Sequence, residues 1–136
     1  MRVATMLGLA SVLAAGAAAA GDAKSDLAKL QGKWTFEKEG AKAEIYFSKN
    51  DFTIKIDSDE IEGTFKADPS KKPKQMDLMI TGKRFMGETL HAIYDLDGDS
   101  LKWCTSKPRK DRPTEFPAKE GEEREYLYMV FKRVKS

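Results

Sequence analysis

From Lys33 to Val134 apolar and polar residues trade places with a period of two, in eight short runs broken by turn residues. That period belongs to a strand with one face on a core and the other in water, and eight such runs leave little chain for helices. The runs fall at about 33–38, 43–49, 51–57, 60–67, 75–82, 88–96, 100–106 and 124–134. One face carries Trp34 and Phe36, then Ile45 and Phe47, Phe52, Ile54 and Ile56, Ile61 and Phe65, and Met76, Leu78 and Ile80. It continues through Leu90, Tyr94, Leu96, Leu101 and Trp103. Thr53, Lys55 and Asp57 occupy the opposite face of the third run, so inside and outside are cleanly separated there. Lys49-Asn50-Asp51 and Asp57-Ser58-Asp59 read as tight turns, and Asp97-Gly98-Asp99 is the strongest hairpin signal. Short antiparallel strands in this number hide their edges best by closing on themselves. The expected fold is all-β, an antiparallel up-and-down barrel of about eight strands.

Two stretches depart from the alternation. The last run is apolar on both faces, with Leu127, Met129 and Phe131 assigned inward and Tyr126, Tyr128 and Val130 outward. The outward set then needs a cover: the long 106–123 segment that holds Pro108, Pro113 and Pro117, the N-terminal segment, or a partner. Ahead of the first strand, Ser25 as N-cap, Asp26 in the first turn and Gly32 as terminator frame a short helix. A piece so short cannot stand alone in water, so Leu27 and Leu30 are expected to plug one end of the barrel.

Residues 1–20 read as a removable export signal: Arg2, an apolar stretch from Val3 to Ala15, and a small-residue cleavage site at Ala18-Ala19-Ala20. Export to the periplasm or beyond, with no transmembrane segment in the mature chain and one domain at 21–136, is the expectation. The signal takes only Arg2 from the 24 Lys+Arg, which leaves a near-neutral balance against 22 Asp+Glu and no electrostatic case for nucleic acid. Cys104 is the only cysteine, so no internal disulfide forms; it is a reactive thiol, one half of an intermolecular bridge, or a small buried or half-buried strand residue.

Asp26-Leu27-Ala28-Lys29-Leu30-Gln31-Gly32-Lys33-Trp34 resembles the opening of an uncharacterised, exported lipocalin-like domain family abundant in planctomycete bacteria. The resemblance continues through Ile61-Glu62-Gly63-Thr64-Phe65, the 68–74 segment, Met76-Asp77-Leu78, the 93–104 segment and Arg112-Pro113-Thr114-Glu115-Phe116. It implies a lipocalin-like barrel and no particular activity. In lipocalins the tryptophan of Gly-x-Trp packs at the closed end beneath a cation from near the last strand. Gly32 and Trp34 match that motif; Lys132 or Arg133 would supply the cation, and the inward assignment of the last strand favours Arg133. Leu27, Leu30, Gly32, Trp34 and Arg133 are therefore expected at the closed end. The short strands depart from those of roomy lipocalin cups, which argues against a large cavity.

The remaining constellations are weak as chemistry. Counted from Asp95, Gly98 stands at position 4 and position 12 is Ser106, so the acidic turn fails the calcium pattern of Gly at 6 and Glu at 12. His91, the only histidine, alternates with inward Leu90 and Ala92 and is expected to face solvent. Glu60, Glu62 and the 120–125 acidic run lie on charged surface where nothing would raise a pKa. No catalytic residue, metal ligand or cofactor is assigned. Lys71, Lys72 and Lys74 with Lys107, Arg109, Lys110 and Arg112 form two basic loops, an alternative contact surface for an envelope or protein partner. The first expectation is a non-enzymatic barrel binding a small apolar or amphipathic ligand, with Phe47, Phe65, Tyr94 and Trp103 as its wall. The second is a solid barrel acting as an interaction module.

Overall fold

Each of the eight runs forms a strand. The computed structural model describes residues 24–38 and 40–135, and the expected export signal lies outside them. Helix α1 (24–30) leads into β1 (Gly32–Lys38), β2 (Ala41–Ser48), β3 (Asp51–Ile56) and β4 (Asp59–Asp68). β5 (Lys74–Ile80), β6 (Thr89–Asp97), β7 (Ser100–Ser106), β8 (Gly121–Glu122) and β9 (Tyr126–Arg133) complete the order. β1 to β7 meander antiparallel, each beside the next; β9 pairs with β7 and returns to β1, closing an eight-stranded barrel with β8 as an added edge piece. No helix among the described residues is long and apolar enough to cross a membrane.

The turns set the register, and the register sets which side chains face inward. Lys49 (φ 58), Asp57 (φ 54) and Gly98 (φ 59) each take the left-handed conformation that reverses a chain in two residues. All the side chains read as inward from the alternation lie in one core cluster, joined by Leu30, Ala43 and Ala92. Each large core side chain that is fully buried contributes about 1.5–3 kcal/mol against exposure. Tyr126, Tyr128 and Val130 form a second, outer cluster with Ile93 and Cys104.

Two local readings need correction. Lys24 is already helical, so Ser25 lies inside α1 instead of capping it. The 106–123 segment is not wholly irregular: Gly121 and Glu122 pair with Tyr128 and Leu127. That short strand is too brief for any periodicity to reveal. It exists because β9 offers an edge that β1 leaves open.

The seam between β1 and β9 is short. Only Trp34 with Arg133 and Thr35 with Lys132 are in register. Beyond them β8 takes the place of β1 along β9. The barrel is thus zipped tightly at one end and parted at the other.

At the tight end every residue of Leu30-Gln31-Gly32-Lys33-Trp34 has a structural task except Lys33, which faces out to Glu44 at 3.2 Å. Leu30 and Trp34 are wholly buried, and the Trp34 indole N–H donates to the Leu30 carbonyl at 2.8 Å. The Gln31 side chain receives the Lys49 N–H at 2.5 Å and donates to the Leu27 and Lys49 carbonyls, clamping the β2–β3 turn to α1. Gly32 sits at φ 111, a conformation that side-chain-bearing residues rarely adopt. The Arg133 guanidinium lies 4.3 Å from the Trp34 ring centroid and donates to the Gln31 carbonyl at 3.0 Å and to that of Lys29. Asp99 holds its Nε side at 3.3 Å. Leu27 packs against the core from α1. Asp26, buried in the same plug, accepts from the Tyr94 hydroxyl at 2.8 Å and from Lys74 at 3.0 Å.

Candidate functional site

The parted end holds a cavity of about 840 Å³. Its position follows from the topology: the odd-numbered turns of the meander, the 81–88 connection among them, gather at the end away from α1, where none of the described residues forms a covering helix. Apolar side chains of the interior make its floor, chiefly Phe36, Ile54, Ile56, Ile61, Leu127 and Met129. Phe36, Ile56, Ile61 and Leu127 are only partly buried, in contrast to the closed end, where Leu30, Trp34 and Leu101 have no exposure. Ala43 stands opposite both Phe36 and Ile56, and its small side chain leaves space between them. The barrel is filled at one end and hollow at the other.

The rim is charged but balanced. Lys38 reaches Glu120 at 3.5 Å, and Arg84 reaches Asp59 at 3.4 Å. Glu120 also accepts the Val130 N–H at 3.0 Å, which fixes the 118–122 segment beside the parted seam. An apolar floor under a rim able to hydrogen-bond suits a molecule with an apolar body and a polar end. The volume falls within the range of small-molecule sites, about 300–1,000 Å³.

The four aromatic residues expected to form a ligand wall stand apart from this cavity. Phe47, Phe65, Tyr94 and Trp103 are all buried, and none lines the cavity. Phe47 packs on Phe65 with centroids 4.7 Å apart, and Phe47 stands opposite Gly32 beside the plug. Trp103 lies edge-on to Phe131 at 5.9 Å, and its indole nitrogen has no hydrogen-bond partner among the described residues. The Tyr94 hydroxyl is committed to Asp26; burial first, then that carboxylate, raises its pKa far beyond the ordinary value. The apolar floor of the cavity belongs to the same inward face of the strands. What separates the two sets is distance from Trp34: the cavity lies at the strand ends farthest from the plug.

The short strands do not prevent a cavity, because the volume comes from the parted seam and the small residue Ala43 and not from strand length. Arg84 and Phe85 also line it; they lie in the 81–88 connection, where no periodicity marks them.

The seven basic-loop residues do not form one patch. Lys71 and Lys72, between β4 and β5, and Lys74, the first residue of β5, sit at the plug end, whereas Lys107, Arg109 and Lys110 follow β7 at the mouth end. Lys74 is taken up by Asp26, Lys107 by Glu122 at 2.7 Å, and Arg109 faces Glu88 at 4.0 Å. Arg112 is the anchor of a strap. It donates to the Ala92 carbonyl at 2.8 Å, to the Met76 carbonyl at 3.2 Å and to Asp77. Burial would raise the Asp77 pKa, but hydrogen bonds from Arg112 and His91 overcome it and hold the carboxyl below its ordinary range. His91 is thus half-exposed and paired with Asp77 at 3.2 Å, not simply solvated.

The strap, residues 107–120, crosses the outside of the barrel and lays Phe116 on Tyr128 at 5.7 Å. It covers the outward strip of β9 and, beneath it, Cys104, which has no exposure. Burial pushes the Cys104 thiol up to about 11. Release of the strap by Arg112→Gln is expected to increase the rate of Cys104 labelling by a soluble aromatic disulfide about tenfold or more, while the wild type stays slow until unfolded. The sign of the pH effect follows from the raised pKa: the stability linked to the protonated thiol is intact below its unfolded value near 9 and is lost as pH rises through about 11.

Comparison with known protein families, with curated proteins and with solved structures finds no match for this chain.

Proposed function

We propose that this chain is an exported, non-enzymatic, lipocalin-like barrel that binds a small apolar or amphipathic molecule in its mouth. The observation that carries the reading is the cavity of about 840 Å³ with an apolar floor, at the end opposite the helical plug. Its charged rim favours an amphiphile whose polar end stays at the opening while its chain replaces water over Ile54, Ile56 and Ile61. The resemblance of the α1–β1 region to exported lipocalin-like domains supports the barrel and the export in this reading, not the ligand. An interaction surface on the outer strip of β9 is less well supported, since Phe116 already packs there.

The test is titration with dodecanoate, followed by native mass spectrometry and displacement of a fluorescent fatty acid. Saturable 1:1 binding is expected for the wild type. Ile61→Trp fills part of the floor. If it displaces about three methylenes at ~0.8 kcal/mol each, affinity falls roughly 50-fold. Equal binding by wild type and Ile61→Trp, or none by a folded wild type, overturns the proposal.

A further inference from the structure

Three of the five large apolar side chains that stay exposed among the described residues sit on one hairpin: Met79 at 55%, Phe85 at 42% and Met86 at 64%. Met79 is on the outward face near the end of β5, and the other two occupy the 81–88 connection to β6. Their exposure is imposed by an ordered backbone. The Ile80 N–H donates to the Glu88 carbonyl at 2.9 Å, Gly87 returns to the Ile80 carbonyl at 3.0 Å, and Glu88 donates to the Phe85 carbonyl at 3.0 Å. Phe85 holds φ 61, in the left-handed region where a bulky residue is a genuine outlier. A glycine or asparagine would sit there with less strain, so local folding gives no reason for an aromatic at this tip.

Two cations, Lys83 and Arg84, immediately precede the apolar pair. Arg84 lies 5.1 Å from the Phe85 ring centroid and shares its charge with Asp59, whose side chain is itself half exposed. Glu88, the acid of the connection, faces Arg109 at 4.0 Å. The tip therefore presents a phenyl ring and a thioether directly beside the cations Lys83 and Arg84, while the nearby acids lie behind them: Asp59 on Arg84, Glu88 facing Arg109, and Glu62 against Gly82. Such a tip matches the layering of a bilayer surface: apolar ends reach the acyl boundary, while Lys and Arg heads remain at the depth of the phosphates. Arg84 and Phe85 also border the cavity, so the tip and the mouth share one edge of the barrel.

We infer that the β5–β6 tip docks on the surface of a bilayer containing anionic phospholipid and holds the mouth against it. The inference rests on the mouth being the ligand site and adds where the ligand is met. A molecule with a long apolar chain spends little time free in water, so a binding protein gains by collecting it at the surface where it resides. The patch is small, and its binding is expected to be reversible and salt-sensitive.

The experiment is co-sedimentation with vesicles of phosphatidylcholine alone and with vesicles containing phosphatidylglycerol, with dodecanoate binding measured separately in vesicle-free buffer. The wild type is expected to partition onto the anionic vesicles and to release at high salt. Met86→Asp combined with Lys83→Glu, neither of which lines the cavity, is expected to lower partitioning by at least about tenfold and to leave dodecanoate binding unchanged. Circular dichroism establishes that the variant is folded. A wild type that binds dodecanoate but neither vesicle, or a folded variant that partitions like the wild type, overturns the inference while the ligand site stands. Self-association of the wild type that the double variant abolishes, without vesicle binding, assigns the tip to a second copy of the chain and also overturns it. Failure of dodecanoate binding alone, with vesicle partitioning intact, counts against the mouth as the ligand site and removes the reason for docking it.

Discussion

Trp34→Ala is expected to cost about 3–5 kcal/mol, a large share of the roughly 5–15 kcal/mol that holds an ordinary domain folded. Three losses combine in that number. The indole is wholly buried, so its removal leaves a large void among side chains that relax only partly. The Leu30 carbonyl loses the donor that reaches it at 2.8 Å, and α1 loses its fixed seat. The Arg133 guanidinium, 4.3 Å from the ring centroid, loses the face on which it stacks. That last interaction contributes only about 0.5–2 kcal/mol, so Arg133→Ala is expected to be milder. Because Trp34 and Arg133 are also one of the two register pairs that close the barrel, damage should concentrate at the seam. Urea unfolding followed by circular dichroism measures both variants. A loss below about 1 kcal/mol for Trp34→Ala would show that the plug does not hold the barrel shut.

Gly63→Val is expected to be of similar severity for a different reason. A Cβ added at Gly63 would stand 1.9 Å from the Met79 carbonyl oxygen and 2.9 Å from its carbon. Both are backbone atoms of the neighbouring strand, so no side chain can rotate away to relieve the contact. β4 and β5 would have to part where Gly63 opposes Ile80, the pair that ends their ladder beside the 81–88 connection. Overpacking of this kind costs about 1–3 kcal/mol at flexible sites and more against backbone. Gly63→Ala already introduces the clash and should lower the melting temperature by about 10 °C or more, given roughly 4–8 °C per kcal/mol in a domain near this size. Gly40→Ala provides the comparison, since nothing lies within 4 Å of its added Cβ and only its φ of 85 opposes the change. Equal melting temperatures for the two alanine variants would contradict the close approach of β4 and β5.

Gly63 also marks what could and could not be read from the chain. The period of two identified the strands and assigned each inward side chain, including Leu127, Met129 and Phe131 on the two-faced last strand. Periodicity works there because a strand has only two faces, and a wrong choice would place a whole row of apolar groups in water. It says nothing about distance along the barrel axis. The closed half and the hollow half carry the same alternating pattern, so aromatic content drew attention to Phe47, Phe65, Tyr94 and Trp103, which are packed. The hollow half is defined instead by a parted seam, by Ala43, and by Arg84 and Phe85 in a connection without periodicity. Arg112 was similarly hidden. Its place in a run of cations suggested a surface patch, whereas its partners, Asp77 and the Met76 and Ala92 carbonyls, come from strands 20 and more residues earlier in sequence. Long-range pairing of that kind leaves no local signal.

The central claim, that the mouth and not the aromatic core receives the ligand, is tested most directly by methyl resonances during titration with dodecanoate. Saturable shifts are expected for Ile54, Ile56, Ile61, Leu127 and Met129, which line the cavity, with Leu30, Leu78 and Leu101 at the packed positions left in place. Shifts centred on Leu30, Leu78 and Leu101, or a spectrum unchanged at saturating dodecanoate, would contradict it.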